Sequence, residues 1–263
     1  MPSVETNRAV WGHEYAWPQR GDEWSAPWGS ATTQWHCVIL PRIRTFLPAN
    51  TVLEIAPGYG RWTQFLQPEA QHLIVVDLSE SCIEACRSRF ADATNISYHV
   101  NDGKSLAMVV EESVEFAFSF DSLVHADLDV LRAYLAELSK KLSPDGVAFL
   151  HHSNIGVYAR RWAIQNRLPR NLWRVLGPLR FAGHSHDRAF TVTAAGVELA
   201  CRDTGLVCIA QETLNWCHTL RIDGFSTITR AGSKWARPNQ VWANSRFMRQ
   251  AADARQIDHI YSF

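Results

Sequence analysis

The sequence predicts an α/β fold built on a mostly parallel sheet with helices on both faces, and three observations predict it. Apolar runs of strand length alternate with helical periodicity from residue 51 to about residue 152. The first run, Thr51-Val-Leu-Glu-Ile-Ala56, empties into a glycine turn at Pro57-Gly58-Tyr59-Gly60. A second run, Leu73–Val76, ends in an acid, Asp77, at the spacing of about twenty residues expected of a nucleotide-binding βαβ unit.

Taken in order, residues 10–35 interleave Trp11, Tyr15, Trp17, Trp24, Trp28 and Trp35 with Gly12, Pro18, Gly21, Pro27 and Gly29. Large rings among chain-breaking residues predict a non-helical, ordered cap that packs on the domain or closes over a ligand. A helix from about Thr32 to Phe46 leads through Leu47-Pro48 into the first strand. Strands are expected at 51–56, 73–77, 96–100, 114–119 and 146–152, with helices at 61–67, 80–90, 103–110 and 127–142 between them. The last of these helices has apolar residues at 128, 131, 135, 138 and 142 on one face, and Ser143-Pro-Asp-Gly146 reads as the turn that ends it. A basic, tryptophan-containing insertion at about 155–190 interrupts the alternation. Thr193–Thr204 reads as the last large helix, Leu206–Thr213 as a strand, and Leu214–Arg230 as its antiparallel partner, with 231–263 polar and irregular. Two regions result, an aromatic cap and helix at 1–50 and one large domain at 51–263.

Composition narrows the function. At 263 residues and 46% hydrophobic content, the chain can cover a sheet on both faces. Its formal net charge is zero and it has no dense basic cluster, which argues against nucleic acid as a partner. No apolar run reaches the roughly eighteen residues of a membrane span, and Met1–Arg8 lacks the build of a signal peptide, so a cytoplasmic location is expected. The six cysteines show no C-x-x-C pair and read as reduced thiols.

Glycines at 58 and 60 let backbone N–H groups approach a ligand, a helix opens at Arg61-Trp62, and Asp77 can accept both ribose hydroxyls. A dinucleotide fingerprint would need a third glycine and no acid at the strand end, yet Glu54 stands there. A carboxylate at that point suits a cationic, phosphate-free ligand such as S-adenosylmethionine. Glu54-Ile-Ala-Pro-Gly-Tyr-Gly60, Val-Val-Asp77-Leu-Ser, Asn101-Asp102-Gly103 and Ser119-Phe-Asp121 together resemble the successive motifs of class I methyltransferases, over roughly residues 50–150. The resemblance implies a Rossmann-like sheet whose last strand is antiparallel. It also implies an S-adenosylmethionine site: the stretch Glu54, Ala56, Gly58, Gly60, Arg61 and Trp62 on the methionine part, Asp77 with Leu78 on the ribose, Asp102 with Gly103 on adenine, and Phe120 with Asp121 at the centre. Ala56 stands where that family usually has its first glycine.

Ligands of open α/β sheets bind beyond the carboxyl ends of the strands, which places Asp121–His125 and His151–Asn154 at one mouth. His125, His151 and His152 are therefore the candidate general bases, with Asp121 to orient the imidazole, although only one of the pair 151/152 can face the acceptor from an extended strand. A rival arrangement holds a divalent metal between Asp121, His152 and Glu212, without an H-x-x-x-H pattern to support it. Tyr15, Trp24, Trp28, Tyr59, His184, His186, Asp187 and Arg188 combine rings and polar groups in the manner of a carbohydrate site. The tryptophan-rich arm, the Phe120-Asp-Ser-Leu-Val-His125 segment and His151-His-Ser-Asn154 together also resemble bacterial polysaccharide and glycoside methyltransferases, including the methylmannose-polysaccharide type.

The expectation is an S-adenosylmethionine-dependent O-methyltransferase of a sugar hydroxyl, with an oligosaccharide or small-molecule acceptor. The alternatives are O- or N-methylation of an aromatic or peptide-like metabolite, metal-assisted sugar methylation, and a sensor that binds the cofactor without catalysis. Part of the 155–190 insertion could instead serve a homodimer contact.

Overall fold

The computed structural model describes residues 3–167, 188–216 and 219–261. They form one eight-stranded sheet: β1 Ala49–Ile55, β2 Ala70–Asp77, β3 Ile96–Val100, β4 Val114–Ser119, β5 Leu142–Ser153, β6 Leu206–Leu214, β7 Asp223–Arg230 and β8 Gln240–Asn244. The strand order is β3-β2-β1-β4-β5-β7-β6-β8. β7 runs antiparallel to both β5 and β6, while the other neighbours are parallel. The order reverses direction between β1 and β4, and that switch opens a crevice at the strands' carboxyl ends.

Alternation along the central strands divides the core between two faces. Val52, Phe116, Phe118 and Phe149 bury on one face with Trp35, Ile39 and Ile43. Leu53, Ile55, Ala117 and Leu150 bury on the other with Leu131, Leu135, Leu138 and Ala200. Each fully buried Phe contributes on the order of 1.5–3 kcal/mol of transfer free energy. Glu54 shares the parity of Val52, so the pleat turns its carboxyl toward the first face and away from solvent.

The helices start where side chains can cap them. Ser79 accepts from the Cys82 N–H at the start of Glu80–Arg89, Asp127 from Val130 at Leu128–Lys141, and Thr193 from Gly196 at Ala194–Asp203. The expected helix over 32–46 is helical from Ala31 to Phe46, but it widens at Trp35–Ile39. Pro41 lacks the N–H that would bond to Cys37, and the Leu40 N–H reaches back to Trp35 instead.

Four expectations need correction. The 103–110 segment is not a helix, because Asp102 Oδ1 accepts from the N–H groups of Lys104 and Ser105 and holds a turn there. The Ser143–Gly146 segment lies within β5, as an irregularity that lets Val114 pair with Leu142 and Phe116 with Val147. Residues 231–263 are not irregular: they supply β8 and the helix Phe247–Tyr261, which buries Phe247, Ala251 and Ala254. The cap is built of short helical turns, Val4–Ala9, Val10–Glu14 and Asp22–Trp28, where loop was expected. Among the described residues no helix is long and apolar enough to cross a membrane.

Candidate active site beneath the aromatic cap

The crevice at the switch point is a cavity of about 440 Å³. Its floor comes from the turns after β1, β2 and β4: Ala56, Gly58 and Arg61, then Asp77 and Leu78, then Asp121, Ser122 and His125. Gly103 adds the turn after β3, while Arg188, Trp216 and Ile222 close the far side. The roof is the cap, through Val4, Asn7, Trp11, Trp17, Glu23 and Trp24.

The turn after β1 has backbone angles that favour glycine. Ala56, Gly58 and Gly60 all have positive φ, at 57°, 59° and 83°. Ala56 therefore occupies a left-handed position, which explains why a glycine usually stands there, and its single methyl is the smallest side chain that can be forced into it. A Cβ at Gly58 would lie 2.6 Å from the Trp17 ring, and one at Gly60 would lie 2.6 Å from Phe90. The first glycine gives the cap its seat on the turn, and the second leaves room for Cys86 of the helix Glu80–Arg89 and for Phe90 at its end.

Asp77 is buried at the tip of β2. Its Oδ1 accepts from the Ser79 N–H at 2.8 Å and its Oδ2 from the Gly58 N–H at 3.2 Å, so one carboxylate ties two turns together. Burial pushes its pKa up to about 6 against those two bonds. Glu54 lies deeper and does not line the cavity. Its Oε2 accepts from the Thr63 hydroxyl at 2.6 Å while Oε1 is buried with no partner, and burial pushes its pKa up to about 8. An orphaned carboxylate oxygen behind a glycine turn is compatible with a cationic group held at that turn.

Asp121 has φ 63° and points its carboxylate at Arg61, with Nη2 to Oδ2 at 2.7 Å. Arg61 also packs over the Trp62 ring at 4.6 Å and reaches Ser25 of the cap at 3.5 Å. Asp121 therefore does not orient an imidazole with its side chain. It donates its backbone N–H to His151 Nδ1 at 3.0 Å instead.

The three histidines do not meet in the crevice. His125 lines it, its ring tilted against Trp11 with centroids 5.0 Å apart, and its carbonyl accepts from Asn7 of the cap at 2.9 Å. His151 is fully buried among Phe120, Trp216 and Phe225, with Nε2 3.5 Å from Asp223 Oδ2. His152 points to the opposite face, also fully buried, between the Ser226 hydroxyl at 2.7 Å and the Ser153 carbonyl at 2.8 Å. Burial pulls its pKa down to about 4, so it is neutral and structural. The expected alternation of 151 and 152 holds. Neither faces the mouth because β7 pairs across both, His151 opposite Phe225 and His152 opposite Gly224.

The supposed metal set also disperses. Glu212 is clamped by Arg42 Nε and Nη2 at 2.7 and 2.8 Å, His152 is engaged with Ser226, and Asp121 with Arg61. Among the described residues no group of three acidic, histidine or cysteine side chains could hold a metal.

Of the remaining candidates, Trp24 and Arg188 line the cavity. Tyr15 backs it, donating to Glu23 at 2.8 Å, and Tyr59 stacks on Trp17 at 4.7 Å. Trp28 is fully buried against Trp216 and Phe247, a core residue and not a substrate contact. Asp102 faces solvent, its carboxyl held below the usual range by the Ser105 and Lys104 N–H groups, and only its neighbour Gly103 reaches the wall. Trp62 and Phe120 are buried behind the floor. His184, His186 and Asp187 lie outside the described residues. Sequence reasoning missed Asn7, Trp216 and Ile222. The last two sit on the β6–β7 connection, where no local pattern marks a binding role.

Residues 52–146 match a protein family described as "Methyltransferase domain". A curated relative, phosphoethanolamine N-methyltransferase 1 of Triticum aestivum, is 30% identical over 118 residues, which is 43% of this chain and 24% of that protein. The chain thus spans about a quarter of that relative's length. Among solved structures, N-methyltransferase NodS from Bradyrhizobium japonicum WM9 in complex with S-adenosylhomocysteine superposes with TM-score 0.57 at 13% identity, covering 88% of this chain and 99% of that one. A structure titled for conversion of a disulfide bond into a thioacetal group during echinomycin biosynthesis gives TM-score 0.57 at 18% identity, covering 89% and 94%. Fold, motif order and family match agree over residues 52–146, which match the methyltransferase-domain family and form the centre of a Rossmann-like sheet.

Proposed function

We propose that the chain is an S-adenosylmethionine-dependent O-methyltransferase whose acceptor is a sugar hydroxyl, on an oligosaccharide or a small glycoside. One observation carries this reading: a single cavity runs from the glycine turn and Asp77 to His125 beneath Trp11 and Trp24. Indole rings suit the apolar face of a sugar ring, and the Asn7, Arg188 and Asp121 side chains offer polar atoms along the same wall. S-adenosylmethionine, when bound, supplies a methyl group already activated on a sulfonium. Ala56, Gly58, Asp77, Leu78 and Gly103 would hold it, and a cationic ligand at the turn would favour the ionised form of the buried Glu54 carboxyl behind it.

The work left to the protein is alignment and proton removal. Fixing acceptor and donor in line is worth about 7–11 kcal/mol, whereas a general base adds about 10²–10⁴-fold. His125 is the imidazole on the cavity wall, so we assign it the acceptor's proton and withdraw His151 and His152 from that role. Residues 3–28 roof the same space, and we read residues 1–50 as a cap on a domain formed by 51–263.

A second reading is methylation of an amine, favoured by a curated relative and a structural neighbour both named as N-methyltransferases. A panel of methyl glycosides, phosphoethanolamine and phenols, incubated with methyl-labelled cofactor, separates the two. Label transferred to a glycoside oxygen supports the first. Turnover of the amine alone replaces it with the second.

A further inference from the structure

We propose that His151 is a positioning residue: Asp223 and Arg188 hold its imidazole in one tautomer, and that tautomer pins the Asp121–Ser122 turn against the cofactor turn. The inference deepens the methyltransferase reading and rests on it for the catalytic consequence, though not for the tautomer.

Asp121 has φ 63°, a backbone state that a non-glycine residue keeps only where its surroundings over-determine it. Three contacts do so. Arg61 takes the carboxylate at 2.7 Å, His151 Nδ1 accepts the backbone N–H at 3.0 Å, and the next residue, Ser122, donates its hydroxyl to the Ala56 carbonyl at 2.7 Å. The last contact ties the turn after β4 to the turn after β1, where Ala56 is itself left-handed.

For Nδ1 to accept, it must carry a lone pair, so the ring proton sits on Nε2. Nε2 faces Asp223 Oδ2 at 3.5 Å, longer than a hydrogen bond, and the attraction there is electrostatic. Asp223 is fixed by Arg188 through Nε at 2.5 Å and Nη2 at 2.7 Å. The opposite tautomer would set an N–H against the Asp121 N–H and a bare nitrogen against a carboxylate. The chain of contacts therefore runs from Arg188 on the cavity wall, through Asp223 and His151, to the backbone beneath the cofactor. Nδ1 is committed to the Asp121 N–H, Nε2 faces a carboxylate already held by Arg188, and the ring has no exposed surface, so His151 has no path to an acceptor proton.

Substitution separates this role from that of a base. His151→Asn sets an amide oxygen about where Nδ1 lies, keeping the acceptor and abolishing the imidazole, whereas His151→Leu removes both. The expected result is that Leu raises KM for S-adenosylmethionine and lowers kcat about tenfold or more, while Asn restores both to within about threefold with the pH profile unchanged. An Asn variant as inactive as Leu, with one limb of the pH profile lost, would overturn the proposal in favour of a base. Nitrogen-15 NMR of the wild-type imidazoles tests the tautomer without any turnover. The proposal requires protonated Nε2 and bare Nδ1 at His151, with Asp223→Asn shifting the population toward the other form. The reverse tautomer in the wild-type protein would sink it. Failure of S-adenosylhomocysteine to bind the wild type would instead strike the methyltransferase reading, leaving the tautomer result to stand by itself.

Discussion

The Arg61 guanidinium meets the Asp121 carboxylate at 2.7 Å across the cavity floor, joining the helix start after β1 to the left-handed turn after β4. Both side chains are almost wholly removed from solvent. Removing one member of such a pair leaves the other charge buried alone, at a cost of about 3–5 kcal/mol. Arg61→Leu should therefore lose that much stability in urea unfolding, with the midpoint falling and the slope unchanged. A loss below about 1 kcal/mol would mean that water reaches the pair and that it behaves as a surface contact.

The Trp17 ring rests directly on the turn that holds Gly58. Gly58→Ala meets two obstacles, the positive φ and the Trp17 ring 2.6 Å from the new methyl. The backbone term alone costs about 1–3 kcal/mol. In a Trp17→Ala background only that term should remain, so the double variant should be less destabilised than the sum of the two single changes by roughly 0.5–3 kcal/mol. Strict additivity of the two changes would show that the indole does not rest on the turn.

The buried acids give opposite pH signatures. Burial raises the folded-state pKa values of Glu54 and Asp77 to about 8 and about 6, above the ordinary carboxylate values of 4.5 and 3.8. Between about pH 4 and pH 8 the folded chain then binds more protons than the unfolded chain, and stability falls as pH rises through that window. Asp223 behaves the other way. Burial opposes its ionisation, but Arg188 and His151 bring its pKa down to about 2, so its contribution is present above the ordinary value and is lost as pH falls through 2. Chemical denaturation of the ligand-free protein should show stability declining from pH 5 toward 8, with the decline flatter in Glu54→Gln. A profile that rises over that range in both proteins would contradict the burial of Glu54.

His125 and His152 should separate cleanly. His125→Ala removes the imidazole on the cavity wall and should lower kcat about a hundredfold or more, with S-adenosylhomocysteine affinity nearly unchanged. His152→Ala strands the Ser226 hydroxyl and the Ser153 carbonyl and should cost about 1–3 kcal/mol of stability, with turnover per folded molecule little altered. Steady-state kinetics beside thermal unfolding decides this, and the reverse pattern would exchange the two assignments.

The parts of the fold visible in the sequence were those whose signals are local. The β1 run into Gly58 and Gly60, the acid at 77 and the amphipathic 128–141 helix each declare themselves within a dozen residues. The helix Phe247–Tyr261 had such a signal too, with apolar residues at 247, 251, 254 and 257. β8 had none, because an edge strand with Val241 and Trp242 exposed lacks the alternation that marks a half-buried one. At 103–110 an apolar run suggested a helix, but the Asx turn at Asp102 offered the backbone a competing set of bonds. At the site, Ala56, Gly58, Asp77, Asp121 and His125, which the sequence placed just beyond the strand ends, all line the cavity. The misplacement of His151 and His152 has a nonlocal cause: whether a β5 side chain meets solvent or protein depends on β7, whose residues 223–230 arrive some seventy positions later. The Arg188–Asp223 pair spans 35 residues and gave no sign in the chain either.

Calorimetric titration of the wild-type protein with S-adenosylhomocysteine addresses the central claim most directly, with Asp77→Ala as the control. The account predicts one saturable site in the wild type and its loss or marked weakening in the variant, because the Asp77 carboxylate orders the Gly58 and Ser79 turns that line the cavity. No heat with either S-adenosylhomocysteine or S-adenosylmethionine, beside clear uptake of NAD, would contradict it.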